Sequence, residues 1–122
     1  MSLKHLNIAV PDVAQTVAFL ETYFDFHCLE IKGDNIIAIL ADNDDFILSV
    51  SNFTKNEVPR YPADFHIGFV QKSPEQVMAI YERLKTDGID VGKEPRTYGG
   101  RGTMSFYVPA PGGFLIEVLC TV

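Results

Sequence analysis

Positive charge is scarce in this chain. Its 122 residues carry 10 Lys and Arg against 16 Asp and Glu, a net charge of −6 with a pI near 4.9. The basic residues are scattered, so the field repels phosphate backbones and anionic lipid and excludes nucleic acid and membrane surfaces as partners. Cysteine is rarer still. Cys28 and Cys120 form neither a CxxC pair nor a framework, and they read as two reduced strand thiols of a cytoplasmic protein. Long apolar runs are missing: the longest, Ile36–Ala41, is far too short to span a bilayer. His5 and Asn7 interrupt the apolar residues near the start, which excludes the core of a secretory signal. Histidine occurs only three times.

What is present is enough for one folded domain over residues 1–122. The hydrophobic fraction of 47% supports a real core. A chain of this length buries roughly two-thirds of its extended surface.

The chain also says nearly the same thing twice. Leu3–Phe24 aligns without a gap on Asp64–Lys85, and His5 falls on His66, 61 residues further on. Ala38–Val50 aligns on Phe106–Val118, and Ser49 falls on Glu117, 68 residues further on. Repeated units share a fold and bury together what one unit alone leaves exposed.

Within the first unit, Leu6, Ile8 and Val10 alternate with His5, Asn7 and Ala9, the period of a half-buried strand. Asp12 is a suitable N-cap with Gln15 three residues on, and Val13, Val17, Leu20 and Phe24 recur at helical spacing. The second unit repeats the pattern with Ser73 as cap, Pro74 at the first helical position and Gln76 three residues after the cap. Gly88 is its helix stop. Three strands should follow each helix: His27–Lys32, Asn35–Leu40 and Phe46–Ser51, then Ile89–Gly92, Thr103–Val108 and Phe114–Cys120. The sequence therefore predicts an α+β chain of two tandem βαβββ modules, residues 3–51 and 63–120, joined by a polar linker, 52–62. The two offsets differ by seven residues, so the second module holds an insertion, and Glu94–Gly102 is the candidate, either a hairpin extension or a substrate lid.

Strand parity places the candidate chemistry. With the helices covering one face, Leu6, Ile8 and Val10 and their counterparts Phe65, Ile67 and Phe69 pack beneath them. His5, His66 and Glu117 then share the opposite face. Two imidazoles and a carboxylate make a facial triad suited to Fe(II) and equally usable by Mn, Zn, Ni or Co. The same parity puts Tyr107, Asn7, Ser49, Ile39, Ile47, Gly68 and Leu115 on that face. Arg96 and Arg101 lie in the inserted segment, where two guanidinium groups could clamp a substrate carboxylate.

These features resemble the vicinal oxygen chelate superfamily of glyoxalase I, bleomycin-resistance proteins, fosfomycin-resistance enzymes and extradiol dioxygenases, over Leu3 to Cys120. The resemblance implies paired βαβββ modules in an open, curved mixed-sheet barrel with helices outside. It also implies metal ligands at His5, His66 and Glu117, a small-molecule substrate and a homodimer. Phe106–Glu117 (FYVPAPGGFLIE) resembles one half of the extradiol dioxygenase signature, in which Tyr107 would be the site tyrosine. The histidine of the other half is missing: Tyr98, Gly99 and Gly100 stand in its place. Glyoxalase I-type lyases use a fourth ligand where this chain has Ser49. Fosfomycin-resistance enzymes carry an Asp-Pro-Asp-Gly turn where it has Ala110–Gly113. Two expectations follow. One is a divalent-metal-dependent enzyme of lyase, isomerase or dioxygenase type, with Tyr107 catalytic and Asn7, Ser49, Arg96 and Arg101 contacting substrate. The alternative is a metal-free small-molecule-binding dimer of the bleomycin-resistance type.

Overall fold

A computed structural model of the protein describes residues 1–55, 57–98 and 102–121. The chain folds as two compact units, one comprising Met1–Arg60 with Pro111–Gly113, the other Tyr61–Ala110 with Phe114–Val122. Each contains one four-stranded mixed sheet and one helix, in the order βαβββ. No helix among the described residues is long and apolar enough to cross a membrane.

In the first unit, β1 (His5–Ala9) leads into α1 (Val13–Tyr23), followed by β2 (His27–Lys32), β3 (Ile37–Ala41) and β4 (Ile47–Ser51). The sheet order is β1-β4-β3-β2, with β1 parallel to β4 and the remaining pairs antiparallel. Asp12 caps α1 by accepting the Gln15 backbone N–H at 3.1 Å. Val13, Val17 and Leu20 of the helix are buried with Ile8, Ala38, Leu40, Leu48 and Val50 of the sheet. Alternation then leaves His5, Asn7, Ile39, Ile47 and Ser49 on the face away from α1.

The second unit repeats this plan with β5 (His66–Val70), α2 (Pro74–Thr86), β6 (Arg96–Tyr98), β7 (Thr103–Pro109) and β8 (Leu115–Thr121). Its order is β5-β8-β7-β6, and again only the first pair is parallel. Ser73 caps α2 by accepting the Gln76 N–H at 3.2 Å, and the Gln76 side chain accepts from Lys72 N–H at 2.9 Å. Val77, Tyr81 and Leu84 of the helix are buried, as are Phe106, Val108, Ile116 and Val118 of the sheet, and Tyr81 meets Phe106 edge-on at 5.4 Å.

The end of α2 shows why glycine stands at position 88. Its backbone has φ +81, its N–H donates to Lys85 O at 3.0 Å, and Ile89 N–H donates to Leu84 O at 3.0 Å. This is the paired-bond C-cap that needs a left-handed residue after the helix. A Cβ there would meet nothing within 4 Å, so only conformational strain opposes a side chain. Gly88→Ala should therefore cost about 1 kcal/mol, measurable by chemical denaturation and without effect on the opposite sheet face.

Two sequence expectations need correction. Ile89–Gly92 is not a strand. Gly88 and Gly92 both adopt positive φ, Asp90 Oδ1 accepts Gly92 N–H at 3.2 Å, and Tyr81 Oη donates to Gly92 O at 3.4 Å. These contacts hold the segment as irregular chain against α2, and the strand forms later, at Arg96–Tyr98. Nine residues separate α2 from β6 where three separate α1 from β2, so most of the extra length precedes the strand. Asn35 is likewise outside β3. At φ +56 it belongs to the turn after β2, where its Oδ1 accepts Ala14 N–H at 2.9 Å near the start of α1.

Candidate functional site

The second sheet presents a regular grid on the face away from α2. Because β5, β8 and β7 are neighbours, His66 stands beside Leu115, Gly68 beside Glu117, and Glu117 beside Tyr107. One same-face row further on are Val70, Leu119, Ser105 and Arg96. The buried partners of alternate parity, Phe106, Val108, Ile116 and Val118, anchor this grid from below. Tyr107 is 39% exposed, in contrast to its buried chain neighbours.

Three side chains converge over Gly68. His66 Nε2 lies 3.5 Å from Glu117 Oε1, and the imidazole meets the Tyr107 ring edge-to-face with centroids 5.4 Å apart. Glycine at position 68 leaves room for Leu119 in the next same-face row. A Cβ there would come within 3.3 Å of Leu119 Cδ2. The Glu117 side chain is only 16% exposed, whereas His66 is 40% exposed. A carboxylate this buried needs a charged or hydrogen-bonded partner, and His66 is the group within ion-pairing distance of it.

The His66 ring is also oriented from behind. Its Nδ1 lies 2.9 Å from the backbone carbonyl of Asp64. A carbonyl oxygen can only accept, so this bond places a proton on Nδ1 and directs Nε2 at Glu117. Metal-binding histidines commonly have their second nitrogen held in this way by a carbonyl or carboxylate. Two donors about 2.1 Å from one ion at right angles stand about 3 Å apart, so the observed 3.5 Å requires only a small contraction. The donor pair thus fits a divalent cation.

The equivalent positions in the first unit behave differently. Asn7 stands beside Ser49 as Gly68 stands beside Glu117, and the Ser49 hydroxyl donates to Asn7 Oδ1 at 2.8 Å. Ser49 is only 5% exposed. These two side chains satisfy each other where the second unit holds a carboxylate open. His5, the counterpart of His66, is exposed at the start of β1 beside Ile47. Among the described residues, no group of three or more His, Cys, Asp or Glu side chains is gathered to hold a metal ion.

Arg96 falls on the edge strand β6, exposed, on the same sheet face as Glu117 by register. Arg101 and the Gly99-Gly100 pair lie outside the described residues. The Asp64 carbonyl is a contributor that sequence reading missed. No residue type signals it, since the acceptor is backbone.

Comparison with known proteins agrees with this architecture. The sequence profile of the Glyoxalase/Bleomycin resistance protein/Dioxygenase superfamily matches residues 2–118. The chain belongs to that superfamily. No curated protein matches it. Among solved structures, one described as a possible glyoxalase from Bacillus cereus shares 43% identity at a TM-score of 0.82, covering 98% of this chain and 99% of that one. The fosfomycin resistance protein FosX from Listeria monocytogenes is 20% identical, with a TM-score of 0.80 and coverage of 100% and 94%. Lactoylglutathione lyase from Agrobacterium tumefaciens is 18% identical, with a TM-score of 0.77 and coverage of 98% and 92%. At these lower identities the likeness concerns the fold.

Proposed function

We propose that this superfamily member is a divalent-metal-dependent enzyme acting on a small substrate with adjacent oxygen atoms. The observation that carries the reading is the His66–Glu117 pair, 3.5 Å apart with the imidazole held at 2.9 Å by the Asp64 carbonyl. His66 Nε2 and Glu117 Oε1 are two of the ligands. His5, at the repeat-equivalent position, is the third ligand of this reading. A bound divalent cation would act as a Lewis acid on substrate oxygens or, if it is iron, would handle dioxygen. The chain's own residues do the rest. Glu117 supplies negative charge from a largely dehydrated position, the Asp64 carbonyl keeps the imidazole from rotating, and Tyr107 offers a hydroxyl beside the substrate. Support by analogy comes from FosX, a variant of which was solved with Mn(II) and 1S,2S-dihydroxypropylphosphonic acid.

A second reading rests on a different observation. Among the described residues no third donor joins His66 and Glu117, and Asn7 with Ser49 fills the equivalent place in the first unit. On that reading the protein is a metal-free dimer that sequesters a small molecule. Metal content of protein purified without chelator, affinity tag or metal resin separates the two. The enzyme reading expects one divalent ion per chain; preparations that remain metal-free and take up no Mn(II), Fe(II), Zn(II), Ni(II) or Co(II) favour sequestration.

Whether the third ligand comes from a second copy is testable by complementation. Mixing His5→Ala with His66→Ala chains should restore metal binding if the site spans two chains, and should leave it absent if each chain holds its own. A homodimer is the expected state in either case, and sedimentation at micromolar concentration checks it.

A further inference from the structure

One buried hydroxyl on the second sheet has no partner. Ser105 is 2% exposed, and among the described residues its Oγ is the buried side-chain polar atom that makes no hydrogen bond. A buried hydroxyl left unsatisfied is destabilising and rare, and where it persists something outside the chain commonly satisfies it. Strand alternation puts Ser105 on the face of Tyr107 and Glu117, two residues from Tyr107 along β7 and so about 7 Å away.

Directly across the ladder from Ser105 is Arg96. Opposed residues of an antiparallel pair have Cβ atoms roughly 5 Å apart, within easy reach of a guanidinium. Arg96 is exposed and forms no ion pair with any described residue. A hydroxyl donor and a forked cation therefore occupy one row, and the His66–Glu117–Tyr107 group occupies the next. In an acidic chain, such a cation on this face is a specific feature.

We propose that Ser105 and Arg96 form an oxyanion subsite that binds the carboxylate or phosphate-type end of the substrate. The subsite lies about 7 Å, one same-face row, from the Glu117–Tyr107 row, where the substrate's adjacent oxygens sit. It rests on the reading of this face as the substrate face and narrows the substrate to a small organic acid. Guanidinium pairs with such groups through two parallel N–H bonds, and the Ser105 hydroxyl completes the set with a third. Without ligand, the hydroxyl is the unpaired remainder of the site.

The test uses protein as purified, with metal content measured on the same samples. Malonate and inorganic phosphate are titrated into the wild type, Ser105→Ala, Arg96→Gln and His66→Ala, following amide shifts by NMR. Both Ser105→Ala and Arg96→Gln should weaken anion binding at least about fivefold, the effect of losing one charge-assisted hydrogen bond, while leaving metal content unchanged. Ser105→Ala should also melt at the same temperature as the wild type or higher, because it removes an unsatisfied buried group. A preference between malonate and phosphate then identifies which oxyanion the subsite takes. Three outcomes overturn the proposal: no anion binding by the wild type, wild-type affinity retained in Ser105→Ala or in Arg96→Gln, or affinity lost in His66→Ala alone. A lower melting temperature for Ser105→Ala with unchanged anion affinity would equally overturn it and make the serine structural. Failure of the metal reading shows separately, as wild type without metal whose anion affinity still depends on Ser105 and Arg96.

Discussion

Replacing His66 by alanine should lower Mn(II) or Zn(II) affinity by more than about 100-fold, since even loss of a group that merely orients a metal ligand costs 10- to 100-fold. His66 contributes twice. It is the proposed donor paired with Glu117, and it lies 3.5 Å from this largely buried carboxylate. Glu117→Gln should have a comparable effect on metal affinity while preserving the shape of the side chain, because an amide oxygen is neutral and its nitrogen cannot ligate. Titration calorimetry on both variants checks the pair. Asp64, by contrast, acts through its backbone carbonyl, so Asp64→Ala should leave metal affinity almost unchanged. That difference separates orientation by the main chain from a contribution of the acid itself.

The second large effect should appear on the other face of the same strand. Ile116 is fully buried beside Glu117, packed beneath α2 with Val108 and Val118. Ile116→Ala removes three carbons and leaves a cavity that a close-packed sheet cannot collapse to fill, at a cost of about 3 kcal/mol. For a chain of this size, that lowers the melting temperature by on the order of 12 °C. Below the transition, metal stoichiometry should be retained, because the substitution leaves the His66–Glu117–Tyr107 face in place. Thermal unfolding followed by circular dichroism, with metal content measured at low temperature, reads both quantities. Loss of metal in a fully folded Ile116→Ala protein would show that the two faces are not independent.

The repeat made much of this fold legible from residues alone. His5–Ala9 and His66–Val70 both form the opening strand, Asp12 and Ser73 both cap, and Gly88 ends the second helix as its position required. The reason is local: caps, alternation and left-handed glycines are short-range rules that sequence states directly. What was misread lies where the repeat breaks. Ile89-Asp90-Val91-Gly92 carries two apolar residues at strand spacing, yet its flanking glycines and the Asp90 turn bond it into an irregular segment. The edge strand went instead to Arg96–Tyr98, whose polar residues pair with β7 through backbone bonds that no side-chain pattern announces.

In the second unit the register leaves His66, Glu117 and Tyr107 on one sheet face, because a period of two leaves no freedom once one neighbour is buried. Parity cannot report distance across strands, so the 3.5 Å contact of His66 with Glu117 emerged only from the register of β5 against β8. Nor could it show that Ser49 and Asn7 satisfy each other, which gives the two units different chemistry on the same scaffold.

The central claim is that His66 and His5, but not the third histidine, bind a divalent cation. The chain contains only His5, His27 and His66, so long-range proton–nitrogen NMR of the imidazoles resolves every candidate. During a Zn(II) titration, the Nε2 resonances of His5 and His66 should move together and saturate at one equivalent, while His27, on the edge strand β2, stays where it is. A His66 resonance that does not respond to Zn(II), or one that moves only in step with His27 at excess metal, would contradict the account.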